Sequence, residues 1–306
     1  MRILIVRLGA MGDVIHALPA AAALRLRFPD AHISWAIEPR WAPLLQHNPH
    51  LNEIVPLNRK QWNSIKAAWK QLRAHPYDLA FDFQGLIKSA LTAFASRAKH
   101  ITGYHRSQLR EWPAAFFYTE TVHATAPHIV DQHLELAGAP HTPAQFHIPP
   151  GKPEGALPDG PFVLASPIAG WPSKEWPLDR YSELARLLPM PLVLNGHPAA
   201  EPRLRAIPGT QTHISSIDGL IDATRRARAV VGVDSGPLHL AAALNKPGVA
   251  IYGPTDPARN GPYGPSIRVL RHPQAITSYK RRDTTDSSML AITPTMVARE
   301  LEAVLQ

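Results

Sequence analysis

The stretch RILIVRLGAMGD, residues 2–13, sets the architecture of the first half of the chain. Its first five residues, Arg2 to Val6, are mostly branched and apolar, which is typical of a strand buried in a parallel sheet. Gly9 and Gly12 follow, and a stretch of helical pattern opens at Val14. A strand that turns through glycine into a helix is the repeating unit of a doubly wound α/β domain.

The same alternation of short apolar runs and amphipathic stretches continues to the end of the chain. The predicted strands are 2–6, 32–37, 53–57, 79–83 and 101–104, then 162–166, 191–194, 212–215, 229–233 and 248–252. Between the two blocks, residues 149–161 are rich in Pro and Gly, so they predict a linker. We therefore predict two domains, 1–155 and 156–306, with a cleft between them.

Two further predictions concern the C-terminal region. Residues 293–306 have apolar side chains at helical spacing, with Thr293 as the cap and Pro294 at the first helical position, and so predict a terminal helix. Residues 278–288 are polar and basic, and predict a surface loop.

Composition restricts the class of protein. The 306 residues include 45% hydrophobic and 18% charged side chains, which is enough apolar material for two cores. The absence of cysteine excludes disulfides and thiolate chemistry, and neither a signal peptide nor an apolar run of roughly 20 residues is found, so we expect a cytoplasmic protein. The net charge of +8 favours an anionic partner such as nucleic acid, a phosphorylated lipid or a membrane surface, although a merely basic surface explains it equally well.

Asp13 stands at the start of the first predicted helix, where a carboxylate is often a cap. The alternative is a general base that faces the predicted cleft. Glu38, at the end of the second predicted strand, would suit a dinucleotide-binding dehydrogenase, but the G-x-G-x-x-G spacing is missing.

A second motif, DFQGLIKS at residues 82–89, follows the fourth predicted strand. Ligands bind at the carboxyl ends of strands in open α/β sheets, and Gln84, Lys88 and Ser89 are polar groups at that place. A loop whose polar groups are satisfied internally is the alternative. Further on, Arg110 and Glu111 add charge to the same half of the chain.

Two motifs lie in the second half. AGWPSKEWP, residues 169–177, has a glycine turn and Lys174, which together could hold a phosphate. In VDSGPLHLAAAL, residues 233–244, Asp234 ends a strand and His239 lies in the first turn of the next helix. Backbone amides, a hydroxyl and an imidazole therefore converge where a diphosphate could bind.

Taken together, the motifs LGAMGDVIHALPA, DFQGLIKSA, WPSKEWP and VDSGPLHLAAALNKPGVAIYGPTDP resemble glycosyltransferase family nine over nearly the whole chain. The resemblance implies a GT-B fold of two Rossmann-like domains. It also implies Asp13 as the catalytic base. Donor contacts would come from Gly170, Lys174, Glu201, Asp234, Ser235, Gly236 and His239, and acceptor contacts from Arg59, Lys88 and Arg110.

Arg110-Glu111 and Phe117-Tyr118, with the second motif, are more similar to the heptosyltransferase I branch of the family than to heptosyltransferase II. That branch moves L-glycero-D-manno-heptose from ADP-heptose to the Kdo of Kdo-lipid A, with inversion and without a metal or other cofactor. The resemblance thus implies an N-terminal acceptor domain and a C-terminal donor domain. The positive charge and the lack of a spanning segment predict peripheral contact with the cytoplasmic face of the inner membrane. The alternatives are a family member with another acceptor, a nicotinamide-dependent dehydrogenase, and a non-catalytic lipid or nucleic-acid binder, although no nucleic-acid-binding motif is found.

Overall fold

The computed structural model describes all 306 residues, which form two compact units, Met1–Pro149 and Pro150–Gln306. Each unit contains one six-stranded sheet in which every neighbouring pair of strands is parallel. Helices connect the strands, as the sequence predicts for a doubly wound α/β architecture.

The N-terminal unit has the strand order β3-β2-β1-β4-β5-β6. Its strands are β1 (Arg2–Val6), β2 (His32–Ile37), β3 (Glu53–Pro56), β4 (Leu79–Asp82), β5 (His100–Tyr104) and β6 (Glu120–Val122). Its α-helices are α1 (Met11–Arg27), α2 (Trp62–Arg73), α3 (Ile87–Ala95) and α4 (Ile129–Leu136), and its 3₁₀ helices are Pro39–Leu45, Arg106–Gln108 and Trp112–Phe117.

The C-terminal unit has the strand order β12-β11-β10-β7-β8-β9. Its strands are β7 (Val163–Ser166), β8 (Leu192–Gly196), β9 (Gln211–Ile214), β10 (Ala229–Val233), β11 (Gly248–Tyr252) and β12 (Ile267–Arg271). Its α-helices are α5 (Asp179–Leu187), α6 (Glu201–Arg205), α7 (Ile217–Arg226), α8 (Gly236–Ala243), α9 (Pro257–Asn260), α10 (Ser287–Leu290) and α11 (Pro294–Leu305), and its 3₁₀ helices are Pro172–Lys174 and Pro198–Ala200.

The two sheets share one topology, and it determines where a ligand can bind. In the first sheet the chain moves outward from β1 to β3 and then returns to β4 on the other side of β1. In the second sheet it moves from β7 to β9 and returns to β10 on the other side of β7. Ligands bind at such a reversal, beyond the carboxyl ends of the strands. The loops after β1 and β4, and after β7 and β10, are therefore the candidate sites.

All ten predicted strands are present, with boundaries that differ by at most two residues. The sequence prediction missed β6 and β12, which lie at sheet edges and have mostly exposed or half-buried residues. An edge strand has fewer buried side chains, so it lacks the continuous apolar run that identified the others.

Three helix predictions have clear outcomes. The terminal helix is confirmed, and the Thr293 hydroxyl accepts a hydrogen bond from the Met296 amide at 3.3 Å. The predicted surface loop 278–288 ends in α10, which begins at Ser287 because Asp286 caps it by accepting from the Ser288 amide at 3.0 Å. The expected helix start at Val14 was wrong, because α1 begins at Met11, whose buried side chain anchors the first turn.

Candidate active site

In the N-terminal unit, Asp13 forms an ion pair with Arg7 at the reversal between β1 and β4. Arg7 Nη2 lies 2.7 Å from Asp13 Oδ1, and the Ala10 amide donates to Asp13 Oδ2 at 3.0 Å. Asp13 is the third residue of α1 and Ala10 is the cap residue, so the interpretation of Asp13 as the cap itself was wrong. The Asp13 side chain is 47% exposed, and its oriented carboxylate can therefore still meet a substrate.

Arg7 is the residue that holds this carboxylate, and the sequence analysis gave it no role. Arg7 is buried, its guanidinium donates to the carbonyl oxygen of Phe83, and its own carbonyl oxygen accepts from Trp35 Nε1 at 3.1 Å. The neighbouring Leu8 amide donates to Gln84 Oε1 at 2.9 Å. These bonds fasten the loop after β1 to the loop after β4. A cation directly after a buried strand was the signal for Arg7 in the sequence.

Asp82 organises the loop after β4 from within the protein. Its buried carboxylate accepts from the Ser89 hydroxyl at 2.8 Å, the Tyr118 hydroxyl at 2.7 Å and the amides of Gln84 and Gly85. Burial raises the pKa of Asp82 against the effect of these four donors. Gln84 and Ser89 thus have partners inside the loop, as the alternative interpretation of this motif expected, and Lys88 is the half-buried cation next to them.

The three predicted acceptor cations lie in different surroundings. Burial and the positive charge of Arg59 lower the pKa of Lys88, which also interacts electrostatically with Arg7. Arg59 forms an ion pair with Glu38 at 2.9 Å. Arg110 is exposed. Lys88 is therefore a neighbour of both Arg59 and Arg7, and Arg110 precedes Glu111, whose carboxylate bonds to the Ile87 amide beside Lys88.

Glu38 and Glu111 each have a structural partner. Glu38 binds both Arg40 and Arg59 at 2.9 Å; burial opposes this effect, but the two cations hold the pKa of Glu38 below its usual range. Glu38 is thus already paired, which removes the main support for a ribose-binding dehydrogenase. The Glu111 carboxylate accepts from the Ile87 amide at 2.8 Å and so satisfies the first residue of α3.

In the C-terminal unit, Lys174, Asp234 and His239 form a buried cluster at the reversal between β7 and β10. Lys174 reaches Asp234 Oδ2 from the loop after β7, and His239 Nε2 lies 3.6 Å from Asp234 Oδ1. Burial alone would raise the pKa of Asp234, but the contact with His239 and the charge of Lys174 outweigh it and hold this pKa well below its usual range. Asp234 therefore stays ionised and orients both Lys174 and the His239 ring.

Several polar groups at the same edge of this sheet are buried without a hydrogen-bond partner. They are Ser235 Oγ, Ser173 Oγ, Thr255 Oγ1 and Trp171 Nε1. Buried polar groups normally have partners, so these four groups keep hydrogen-bonding capacity that a polar ligand or a water molecule could use. The sequence prediction contained Ser235 but missed Ser173, Thr255 and Trp171, because nothing in a sequence shows that a hydroxyl lacks a partner.

Two basic side chains contact the ring of Trp171 in the loop after β7. Lys174 Nζ lies 4.0 Å from the centre of the Trp171 ring, and Arg281 lies against that ring at 5.2 Å. Gly170 is exposed, and a Cβ atom there would meet nothing within 4 Å, so the space beside it is open. The predicted 278–288 loop thus lies beside this donor-site candidate, a position that its sequence did not indicate.

Two glutamates, Glu201 and Glu175, lie near the donor-site candidate and form ion pairs with arginines of α6. Glu201, the predicted donor contact, is the first residue of α6 and forms an ion pair with Arg205 at 2.6 Å. The buried Glu175 accepts from the Ala169 amide at 3.3 Å and binds Arg203 at 2.9 Å. Glu175 therefore connects the loop after β7 to α6, and the role of Glu201 stays a prediction.

Gly236 is the first residue of α8, and its neighbour Ser235 is the cap residue. The amides of this first turn lack partners within the helix, and they carry the positive end of the helix dipole. His239 is the fourth residue of the same helix. The structure therefore brings together Lys174, Asp234, Ser235, Gly236 and His239, an arrangement that can bind a diphosphate.

Two kinds of feature are absent from the structure, a metal-type cluster of side chains and a membrane-spanning helix. No group of three or more His, Asp or Glu side chains has the arrangement of a metal site. None of the helices combines the length and hydropathy that a bilayer-spanning segment requires.

Comparisons with known proteins agree with this geometry. The family model described as "Glycosyltransferase family 9 (heptosyltransferase)" matches residues 65–289. "Lipopolysaccharide heptosyltransferase 1" of Escherichia coli strain K12 is 30% identical over 309 aligned positions, which cover 90% of this chain and 94% of that protein.

Two solved structures are similar to the whole chain. "E. coli heptosyltransferase WaaC with ADP" has a TM-score of 0.82 at 26% identity and covers 99% of this chain and 100% of its own. "Structure of E. coli ADP-heptose lps heptosyltransferase II" also has a TM-score of 0.82, at 25% identity, with 100% and 98% covered. The predicted GT-B fold with two Rossmann-like domains is confirmed. The match to the family model and the 30% identity over nine-tenths of the sequence establish that the chain belongs to glycosyltransferase family 9, the heptosyltransferases.

Proposed function

We propose that the protein transfers L-glycero-D-manno-heptose from ADP-heptose to the Kdo of Kdo-lipid A in the synthesis of the lipopolysaccharide inner core. The observation that carries this proposal is the pair of cation–carboxylate clusters, Arg7–Asp13 and Lys174–Asp234, at equivalent edges of two sheets in a chain of this family. The chain is similar to a heptosyltransferase structure described with ADP and to an ADP-heptose heptosyltransferase, and both similarities support the choice of donor.

The C-terminal unit would bind ADP-heptose. Lys174, His239, the Ser235 hydroxyl and the amides at Gly236 would hold the diphosphate, while Asp234 would orient Lys174 and His239 and face the donor sugar. Gly170 leaves open space beside Lys174, and Glu201 would contact the donor from α6. A complex with the nucleotide against Gly9–Gly12 instead would contradict this assignment.

Asp13 would act as the general base of a single displacement that inverts the anomeric carbon. An acceptor hydroxyl oxygen attacks that carbon, its proton passes to the Asp13 carboxylate, and the bond between the carbon and the ADP oxygen breaks. Negative charge grows on the leaving diphosphate. Lys174, His239 and the α8 amides would stabilise that charge where it develops, which lowers the barrier.

The N-terminal unit would bind the acceptor through its cations. Lys88, Arg59 and Arg110 would contact the Kdo carboxylate and the phosphates of the lipid. An open groove lined by Arg40, Arg59 and Lys60, beside Glu38, supports this assignment because its charge complements an anionic sugar. An acceptor that already carries one heptose is the second candidate, because the heptosyltransferase II structure is equally similar in fold.

The proposed acceptor is a lipid, so the protein would have to act at a membrane surface. We infer that the protein works at the cytoplasmic face of the inner membrane as a peripheral protein. The net charge of +8 supports attraction to an anionic lipid surface.

Purified protein incubated with ADP-heptose and each of two acceptors, Kdo-lipid A and its monoheptosyl derivative, tests the proposal. Mass spectrometry of the lipid and measurement of released ADP would report transfer. We expect transfer to Kdo-lipid A. Transfer only to the heptosylated acceptor would favour the second candidate, and ADP release with neither acceptor would contradict both.

A further inference from the structure

One face of the N-terminal unit is built by α2, α3 and the 3₁₀ helix Trp112–Phe117. Leu4 and Val6, alternate residues of β1, point to one side of the sheet and share an apolar cluster with residues of both α-helices. The contributing helix residues are Ala68, Leu72 and Ala93, with Tyr118 from the end of the 3₁₀ helix packed against the cluster. The three helices therefore lie on the same side of the sheet, and their other sides form one outer face.

This outer face exposes an unusual amount of apolar surface. Seven large apolar side chains are more than one-third exposed there: Trp62, Trp69, Ile87, Leu91, Phe94, Trp112 and Phe116. They include five of the six exposed large aromatic side chains of the protein, and Phe116 is 77% exposed. Ile87, Leu91 and Phe94 follow one another along one side of α3. Contiguous apolar surface of this kind marks an interaction site.

Positive charge is concentrated in the same segment. Residues 59–117 contain ten Lys or Arg and three Asp or Glu, so this fifth of the chain carries +7 of its net charge of +8. All three carboxylates have partners within the protein. Asp82 is buried, Asp78 binds Lys99 at 2.8 Å, and Glu111 accepts from the Ile87 amide.

On α2, the aromatic and cationic side chains alternate along one exposed stripe. Trp62, Lys66, Trp69 and Arg73 are spaced three or four residues apart, which places them on one side of the helix. Lys66 lies 5.4 Å from the Trp62 ring centre, and Arg73 lies 5.2 Å from that of Trp69. Tryptophan and long basic side chains are the residues that hold proteins at the boundary between lipid headgroups and acyl chains.

We propose that this outer face docks on an anionic lipid bilayer, with the aromatic and aliphatic side chains between the headgroups and the cations against lipid phosphates. The proposal rests on the proposed function in that the acceptor is itself a membrane lipid. A second copy of the chain would bring two strongly basic faces together, with no exposed unpaired carboxylate in residues 59–117 to neutralise them. RNA would use the aromatic rings, but not Ile87 and Leu91 on the side of α3.

Docking by this face explains how a lipid acceptor reaches the candidate site. Lys88 lies in the first turn of α3, at the carboxyl end of β4, and its neighbour Ile87 belongs to the exposed row. Lys88, one of the predicted acceptor cations, therefore stands at the border of the docking face. A sugar linked to lipid in the bilayer would meet Lys88 while its acyl chains stay in the membrane.

Co-sedimentation of the full chain with vesicles tests the proposal, with phosphatidylethanolamine plus phosphatidylglycerol as the anionic vesicle and phosphatidylcholine as the neutral one. Each Lys or Arg near an anionic surface strengthens binding roughly fivefold, so Lys66→Gln/Lys70→Gln/Arg73→Gln should weaken binding to anionic vesicles about a hundredfold. Trp62→Ser/Phe94→Ser/Phe116→Ser removes three exposed rings, and we expect at least about a tenfold loss.

Matched variants elsewhere control for charge and hydrophobicity. Lys152→Gln/Arg268→Gln/Arg299→Gln makes the same charge change in the C-terminal unit, at three exposed cations. Leu26→Ser/Leu187→Ser/Ile276→Ser removes apolar side chains that are at least half exposed outside the docking face. Both controls should bind vesicles within about threefold of the wild type. Thermal unfolding would verify that every variant is folded.

Transfer to a water-soluble acceptor without acyl chains separates this proposal from the proposed function. The docking-face variants should keep kcat/KM for that acceptor, because they remove only lipid contacts. Equal vesicle binding by docking-face and control variants would overturn the docking face, even if transfer is found. Vesicle binding without any transferase activity would overturn the function and leave the docking face standing. Loss of RNA binding or of a dimer in these variants, with vesicle binding unchanged, would assign the face to those partners instead.

Discussion

In the N-terminal unit the ion pair Arg7–Asp13 lies at the carboxyl edge of the sheet, and in the C-terminal unit Lys174–Asp234 lies at the equivalent edge. The two carboxylates differ in their exposure. The side chain of Asp13 is 47% exposed, whereas that of Asp234 is 11% exposed and has His239 as a second neighbour. The same kind of pair therefore occurs once at the surface and once inside.

This difference assigns different work to the two carboxylates. A surface carboxylate that one buried arginine orients can approach an acceptor hydroxyl and take its proton. A largely buried carboxylate with a partner at each oxygen has both oxygens occupied, so it fixes the direction of Lys174 and His239. We interpret Asp13 as the reacting group and Asp234 as the anchor of the diphosphate site.

Asp13→Asn removes the proton-accepting carboxylate of the N-terminal pair and should have the largest effect on turnover. Asn can still accept from the Ala10 amide, but it cannot take a proton, so turnover should fall at least about a hundredfold in an assay of ADP release with donor and acceptor present. Asp131→Asn makes the same change at the third residue of α4 and should leave turnover unchanged. If the folded Asp13→Asn protein keeps more than about a tenth of wild-type turnover, Asp13 is not the base.

Arg7→Gln tests whether the orientation of Asp13 matters. Losing the guanidinium frees Asp13 and leaves the Phe83 carbonyl oxygen without this donor, so kcat should fall by up to about a hundredfold while KM for the donor stays nearly constant. Arg7→Lys keeps the charge and should recover part of the loss. Steady-state kinetics together with unfolding curves would show this, and a loss of stability with unchanged kcat would make Arg7 a purely structural residue.

Tyr118→Phe should affect stability and leave catalysis nearly unchanged. It removes one hydrogen bond from the buried Asp82 carboxyl group, which should lower the free energy of unfolding by about 1.5–3 kcal/mol if that group is ionised and by about 0.5–1.5 kcal/mol if burial keeps it protonated. Tyr104→Phe removes a buried hydroxyl that bonds to His133 at 2.6 Å, and should cost only about 0.5–1.5 kcal/mol. Urea denaturation would measure both, and equal losses would show that the charge of Asp82 adds nothing.

Much of the fold was predictable because its signals are local. The buried strands Arg2–Val6 and Ala229–Val233 are continuous apolar runs, and their boundaries were predicted without error. The edge strands β6 and β12 were missed because exposed strands carry no such run. The sequence did not show which residues share a face of the N-terminal unit. That became clear only from the packing of α2 and α3 on one side of the sheet.

The sequence predicted individual residues of the candidate site, but not which of them form ion pairs with each other. Lys174 and Asp234 were each identified from a local motif, but they are sixty residues apart and only the fold brings them into contact. The same holds for Glu111, which satisfies the first amide of α3 from twenty-four residues away. A sequence shows which side chains could react, and long-range packing decides which of them remain exposed.

Titration of ADP into three folded variants by calorimetry tests the division of labour most directly. We expect Asp13→Asn to bind ADP within about twofold of the wild type, and Lys174→Gln to bind at least about tenfold more weakly because it loses a charge-assisted contact. Lys152→Gln, an exposed lysine of the same unit, should bind like the wild type. If ADP binding weakens equally in Asp13→Asn and Lys174→Gln, or does not weaken in Lys174→Gln, then Lys174 is not part of a separate ADP site.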